Sequence, residues 1–302
     1  MLKIYKKITQ LFFFAGMLIM SLTFPALTLK YAKTGLHIWY KNMVPALLPM
    51  MIITGCMVKL NITASFASVL HPLTKKIFHL SKNGTYALIV GFLCGFPMGA
   101  KVITELYSEN KISKTEANTL LPVCNNIGPV FMLTYGLKTI PTKHIYFILI
   151  LFYLIPLVYT FFLFRNKIYF TNPVNATPKP KAFSVALDEA ISDSAAGILS
   201  LGGYIIFFSI ITLIPLELLA MPDNVKQVII CLLEITNGLS CQNVLPPYTL
   251  LAFIQFGGIC CIFQTIKFTS KTDLNIKNYL IHKIKLTALT FIIFYFVSNF
   301  LF

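Results

Sequence analysis

Long apolar runs divided by short, lysine-bearing polar stretches make up nearly all of this chain. The first run, 8–29, follows Lys3, Lys6 and Lys7. It exceeds 20 residues and has no small-x-small cleavage site, so it predicts a retained membrane helix rather than a signal peptide. Lys30, Lys33 and Lys41 follow it as a basic flank. Further spans are predicted at 43–60, 84–106, 117–137, 144–164, 195–219, 225–245, 248–267 and 284–302. Residues 61–83 read as a polar, partly amphipathic connection. Residues 107–116 read as a short turn, with Ser113 and Glu116 at capping-box spacing. The stretch 165–182 has three prolines, four basic residues and no acid, which predicts a linker between two halves. After it, 183–194 has an amphipathic pattern with acids at 188, 189 and 193, expected to lie at the membrane interface before the next span.

Two of the spans carry interruptions. Gly91-Phe-Leu-Cys-Gly-Phe-Pro-Met-Gly-Ala100 and Cys124-Asn-Asn-Ile-Gly-Pro-Val-Phe131 place glycine, proline and amides inside otherwise apolar sequence. Backbone opened at membrane depth must be buried in protein or face a polar cavity. Broken helices in corresponding positions of two halves are also how many transporters build a site. The second half offers matching interruptions at Leu233-Glu-Ile-Thr-Asn-Gly238 and Gly257-Gly-Ile-Cys-Cys-Ile-Phe263, and residues 42–54 can be laid over 196–208. The expectation is an all-α polytopic membrane protein of eight to nine segments, with broken or re-entrant helices. It forms one membrane domain over 1–302, built as a first repeat at 36–164 and a second at 183–302.

Composition agrees. Hydrophobic residues make up 57% of the chain and charged residues 12%, where a soluble domain carries about twice that charge. The net charge of +15 comes almost wholly from lysine. Dispersed among apolar spans, these lysines suit anionic headgroups or an electropositive vestibule, and exclude nucleic acid as a partner. The seven cysteines show no metal-ligand spacing and read as small buried hydrophobes, so neither a metal nor another cofactor is expected. No nucleophile elbow, zinc-binding helix motif or phosphate loop is present in the sequence, so no enzyme is expected.

The candidate site follows from the interruptions. An opened N-terminal stub favours anions, and Pro97 and Pro129 suit the first turn of a new helix. Gly95, Gly99 and Gly128 allow a tight reversal and close approach, although Gly95-x-x-x-Gly99 also has helix-packing spacing. Asn125 and Asn126 offer donors and acceptors for a solute, or interhelical bonds that hold the bundle. Lys101 reads as a counter-charge or an interfacial lysine. Glu234 is the most isolated acid, a candidate for a capping or ion-pairing role, for binding a coupling cation, or for titration. With Phe96, Thr236, Asn237, Gly257, Gly258 and Gln264, these residues form the expected solute site.

At Gly95-Phe-Pro-Met-Gly-Ala-Lys101, Ile112-Ser-Lys-Thr-Glu-Ala117, the stretch 120–131, Leu233–Gly238 and Phe256-Gly-Gly258, the chain resembles the sporulation integral membrane protein family of the YlbJ type. Members of that family carry the nucleoside-recognition, or Gate, domain. The resemblance implies a multi-pass bacterial protein that moves dipicolinate, a pyridine dicarboxylate, across the outer forespore membrane. It also implies that Gly95 to Gly99, Asn125, Asn126 and Glu234 line the site. The expected partners are the lipid bilayer and a small anionic solute, with a coupling cation and self-association left open. A nucleoside permease and a non-transporting sporulation scaffold are the competing readings.

Overall fold

A computed structural model describes residues 2–142, 144–165, 180–241 and 244–302. The chain is an all-α polytopic membrane protein, with no strand among the described residues. Among the described residues, six helical stretches are long and apolar enough to cross a membrane: Pro25–Lys59, Lys114–Thr139, Ile145–Phe164, Phe183–Leu218, Pro247–Thr269 and Ile276–Phe296. Most of the expected linker, 166–179, lies outside the described residues.

The first apolar run ends earlier than its composition suggests. Helix α1 (Leu2–Thr23) stops at Phe24, and Pro25 opens α2 (Pro25–Ile38). Proline lacks an N–H and drives the preceding residue out of helical geometry, which outweighs the continuous apolarity of 8–29. Lys30 and Lys33 therefore lie on α2, and Lys41 on the π-turn Trp39–Met43 that joins α2 to α3 (Val44–Lys59). Two short helices, Thr63–Ala67 and His71–Phe78, fill the connection.

Next come α4 (Lys82–Cys94) and α5 (Met98–Ser108). Ser81 caps α4 by accepting from Gly84 N at 2.9 Å, and its own N–H donates to Glu116 Oε1 at 2.8 Å. Glu116 belongs to α6 (Lys114–Cys124), capped by Ser113 at 3.1 Å. The Ser113 half of the expected capping box is therefore made, while the Glu116 carboxylate turns to the start of α4 instead. Asn83, at the start of α4, donates to Lys111 O, just past the end of α5. The two ends of the α4–α5 pair thus lie side by side, so the chain turns back at Gly95–Pro97 as a helical hairpin.

Beyond the 125–128 interruption, α7 (Pro129–Phe131) continues through a π-turn and a 3₁₀ turn to Thr139, and α8 (Ile145–Phe164) closes the first half. The second half opens on α9 (Phe183–Ile211), a single helix of 29 residues. Residues 183–194 are its first turns rather than a separate interfacial helix. Ala186 and Ala190 pack against Cys56 of α3, while Lys59 pairs with Glu189 at 3.0 Å and Asp193 at 2.9 Å. Two of the three acids that made 183–194 look interfacial, Glu189 and Asp193, hold α3 through Lys59.

A second hairpin follows, α10 (Asp223–Leu233) and α11 (Ile235–Ser240). Gln227 of α10 donates to Gly238 O and accepts from Val244 N and Leu245 N, so this chain also turns back on itself. The segment expected at 225–245 is therefore broken at Glu234. Helices α12 (Pro247–Phe256) and α13 (Gly258–Thr269) meet at Gly257. Asp273 then ties the following loop to the first half by accepting from Lys114 and Tyr107, at 2.6 and 2.7 Å. The Lys114 bond, more than the Tyr107 bond, holds its carboxyl below the usual range, so this tie is present at neutral pH and is lost in acid.

The last span, α14 (Ile276–Phe296), begins eight residues before the expected 284, with Asn275 capping it at 3.0 Å. Its lysines lowered the hydropathy of the start, but Lys283 turns inward. Before and after residues 166–179 the chain runs through a long helix, a hairpin, an interrupted helix and an unbroken one, with the short helices Thr63–Ala67 and His71–Phe78 added in the first stretch.

Candidate functional site

Four interruptions meet. The tip of the first hairpin, Gly95–Pro97, rests on the break in the α6–α7 segment. A Cβ on Gly95 would lie 2.1 Å from Gly128 N, and one on Gly99 would lie 2.1 Å from Cys124 O. Gly95 has φ +75°, as the reversal requires. Gly128 has φ −77° and ψ 149°, ordinary for any residue, so its smallness serves contact rather than conformation. The helix is both broken and packed through its small residues, and the two readings of Gly95-x-x-x-Gly99 describe one structure.

Four carbonyls at the break between α6 and α7 have donors. Val123 O accepts from Asn126 Nδ2 at 2.6 Å, Asn125 O from Lys283 Nζ at 2.8 Å, and Ile127 O from the Tyr153 hydroxyl at 2.9 Å. Gly128 O accepts from Met132 N at 3.0 Å. This meets the condition for non-helical backbone inside a membrane protein.

The second hairpin is capped by its own acid. Glu234, buried at the start of α11, accepts from Thr236 N at 3.1 Å and Asn237 N at 2.7 Å. The carboxylate thus occupies the positive end of its own helix and has its charge offset there. Asn237 Nδ2 donates to Ser209 Oγ of α9 at 2.9 Å, which fixes the tip against the long helix. The Tyr135 hydroxyl donates to Thr236 O at 3.0 Å and bonds Ser240 Oγ, joining the first half to this hairpin.

Gly257 and Gly258, at φ +81° and +80°, fit between the two tips. A Cβ on Gly257 would lie 2.7 Å from Phe96 Cζ, and one on Gly258 would lie 3.2 Å from Leu233 O. Gly257→Ala places a side chain in a left-handed conformation, costing about 1–2 kcal/mol before any clash. It also pushes the Phe96 ring. The expected outcome is a melting temperature several degrees lower in detergent, measured by intrinsic fluorescence; an unchanged melting temperature would contradict the packing described.

These elements enclose a cavity of about 570 Å³. Of the fourteen residues expected from sequence, Phe96, Pro97, Gly128, Glu234, Thr236 and Gln264 reach its wall. The others stand behind it. Gly95, Gly99, Gly257 and Gly258 are packing contacts, and Asn237 anchors the second tip. Lys101 is buried, pairs with Glu105 at 2.6 Å and faces Gly55 of α3. Asn125 and Asn126 lie in a buried network with Gln255, Thr265, Tyr279 and Lys283.

Sequence reasoning did not single out Lys41, Lys138, Phe131 and Tyr135, which also line the cavity, nor Lys283 beneath it. Lys283 had a signal. Tyr279, Lys283, Leu286, Thr290 and Phe294 recur at helical spacing and form the buried stripe of α14.

Fold and site together define a multi-pass helical membrane protein whose helical hairpins and interrupted helices surround one cavity. Over 108 residues the chain is 32% identical to the sporulation integral membrane protein YlbJ of Bacillus subtilis. That match covers 36% of this chain and 26% of the relative, so it spans about a quarter of the relative's length. No family model matches the chain, and no solved structure matches it.

Proposed function

We propose that the chain is a membrane transport protein that carries a small organic anion through this cavity. The observation that carries the reading is the convergence of three helix interruptions, at Phe96–Pro97, Ile127–Gly128 and Glu234–Thr236, on one cavity. A volume of about 570 Å³ falls within the range of small-molecule sites. The paired order of elements in the halves supports a two-repeat carrier with its site at the repeat interface. Charge supports an anion: Lys41 and Lys138 line the cavity, while the negative charge of Glu234 is offset by two backbone N–H groups. Phe96, Phe131 and Tyr135 provide aromatic wall for a flat ring. Dipicolinate joins a flat ring to two carboxylates. Similarity to a sporulation membrane protein supports placing its movement at the outer forespore membrane.

The aromatic wall and the neutral polar groups Thr134, Thr236 and Gln264 suit an uncharged nucleoside as the second reading. Equilibrium binding to the purified chain separates the two. Labelled dipicolinate is expected to bind and to be displaced by unlabelled dipicolinate but not by uridine; uridine binding without dipicolinate binding would favour the permease. Glu234→Gln removes one charge-assisted cap bond, worth about 1.5–3 kcal/mol. It is expected to weaken dipicolinate binding by roughly tenfold or more while leaving membrane abundance unchanged. Unaltered affinity would remove the second tip from the site.

A further inference from the structure

Lys283 carries an ammonium into the protein interior where no carboxylate meets it. It is fully buried, and no described acid pairs with it. Its Nζ instead donates to Asn125 O at 2.8 Å and Asn126 Oδ1 at 2.9 Å, and lies 4.4 Å from the centre of the Phe96 ring. These are the partners of a bare cation: a carbonyl at the C-terminal end of an opened helix, an amide oxygen, and an aromatic face.

The two asparagines are held by further polar side chains. Asn126 Nδ2 is committed to Val123 O, which turns its Oδ1 toward Lys283 and toward Gln255 Nε2 at 2.8 Å. Thr265 gives its hydroxyl proton to Cys261 O, so its oxygen accepts from Asn125 Nδ2 at 2.6 Å. Those commitments leave Asn125 Oδ1 and Gln255 Oε1 as buried acceptors without a donor among the described residues. Unpartnered buried oxygens around a cation-facing helix end describe a site for a monovalent cation.

We infer that this is a cation site built into the α6 break and occupied by the Lys283 side-chain amine in place of an exchangeable sodium ion. The side chain reaches it from α14, one ring's thickness behind the cavity wall at Phe96. A tethered group cannot leave with a solute, so this site does not couple solute movement to sodium. This consequence rests on the transport reading; the cation site itself does not.

The test is therefore made without any solute. The full chain is purified in detergent and its melting temperature compared in choline, sodium and potassium chlorides of equal ionic strength. For the wild type, the three values are expected to agree within about 1 °C. Lys283→Ala opens the site: its melting temperature is expected to fall in choline and to recover at least half of that loss in sodium. Lys283→Met fills the same space without charge and is expected to fall without recovery in either alkali salt. A wild type stabilised by sodium overturns the inference. So does a Lys283→Ala variant that sodium does not rescue, including one that fails to fold in every salt. Failure of dipicolinate to bind, with the salt pattern as expected, would overturn the transport reading alone.

Discussion

Gly95→Ala is expected to leave no monodisperse protein in a detergent extract. At φ +75° any L-residue costs about 1–2 kcal/mol. The larger effect is steric, because the new Cβ would lie 2.1 Å from Gly128 N and 2.8 Å from Ile127 C. Both are backbone atoms in a segment pinned by the Tyr153 hydroxyl at Ile127 O, so neither can rotate away as a side chain would. Relief requires the first hairpin to lift off the α6–α7 break, and that would undo the close packing of Gly91 and Gly99 against Cys124. A total above about 4 kcal/mol follows, in the range that few single substitutions reach. Gly203→Ala is the control, since nothing lies within 4 Å of its added methyl group. Fluorescence-detected size-exclusion profiles of the two variants are expected to differ sharply; matching profiles would refute the backbone contact.

Asn126→Ala is expected to destabilise the protein by roughly 2–4 kcal/mol, the cost of leaving buried polar groups without partners. One side chain holds three partners: it accepts from Lys283 and Gln255 and donates to Val123 O. Alanine strands Gln255 Nε2 and Val123 O and leaves Lys283 with Asn125 O as its one oxygen partner. Asn126→Asp keeps an oxygen for Lys283 and Gln255 and gives up only the bond to Val123, so its loss is expected to be the smaller. Melting temperatures should therefore rank wild type, Asn126→Asp, Asn126→Ala. An alanine variant as stable as the aspartate variant would mean that Lys283 does not depend on this amide. Asn126 thereby moves from a solute ligand to a support for the cavity floor.

The breaks themselves were legible because glycine and proline are the residues that interrupt helices most strongly. Gly95, Pro97, Pro129 and Gly257 marked them without any knowledge of contacts. Pro25 had the same meaning, but the apolar residues on both sides of it suggested one continuous helix. Lys283 was hidden for the opposite reason. Beside His282 and Lys285 it read as part of a polar connection, and only its spacing from Tyr279 and Leu286 placed it on the buried face. Glu234 was visible as a buried acid, whereas its capping of α11 depended on where the backbone opened. The meeting of residues 95, 128, 234 and 257 could not be read from local pattern at all, because it is set by contacts between separate elements, such as Gly95 with Gly128 and Gly257 with Phe96.

The most direct measurement of the central claim is release of labelled dipicolinate from proteoliposomes holding the full chain. The comparison is with a variant in which Leu93 and Thr134, both exposed on the cavity wall, are changed to tryptophan. The account predicts dipicolinate release from wild-type vesicles and loss of nearly all of it when the cavity is filled, with the size-exclusion profile unchanged. Equal release from both would contradict passage through the cavity, and no release from wild-type vesicles would contradict dipicolinate as the solute.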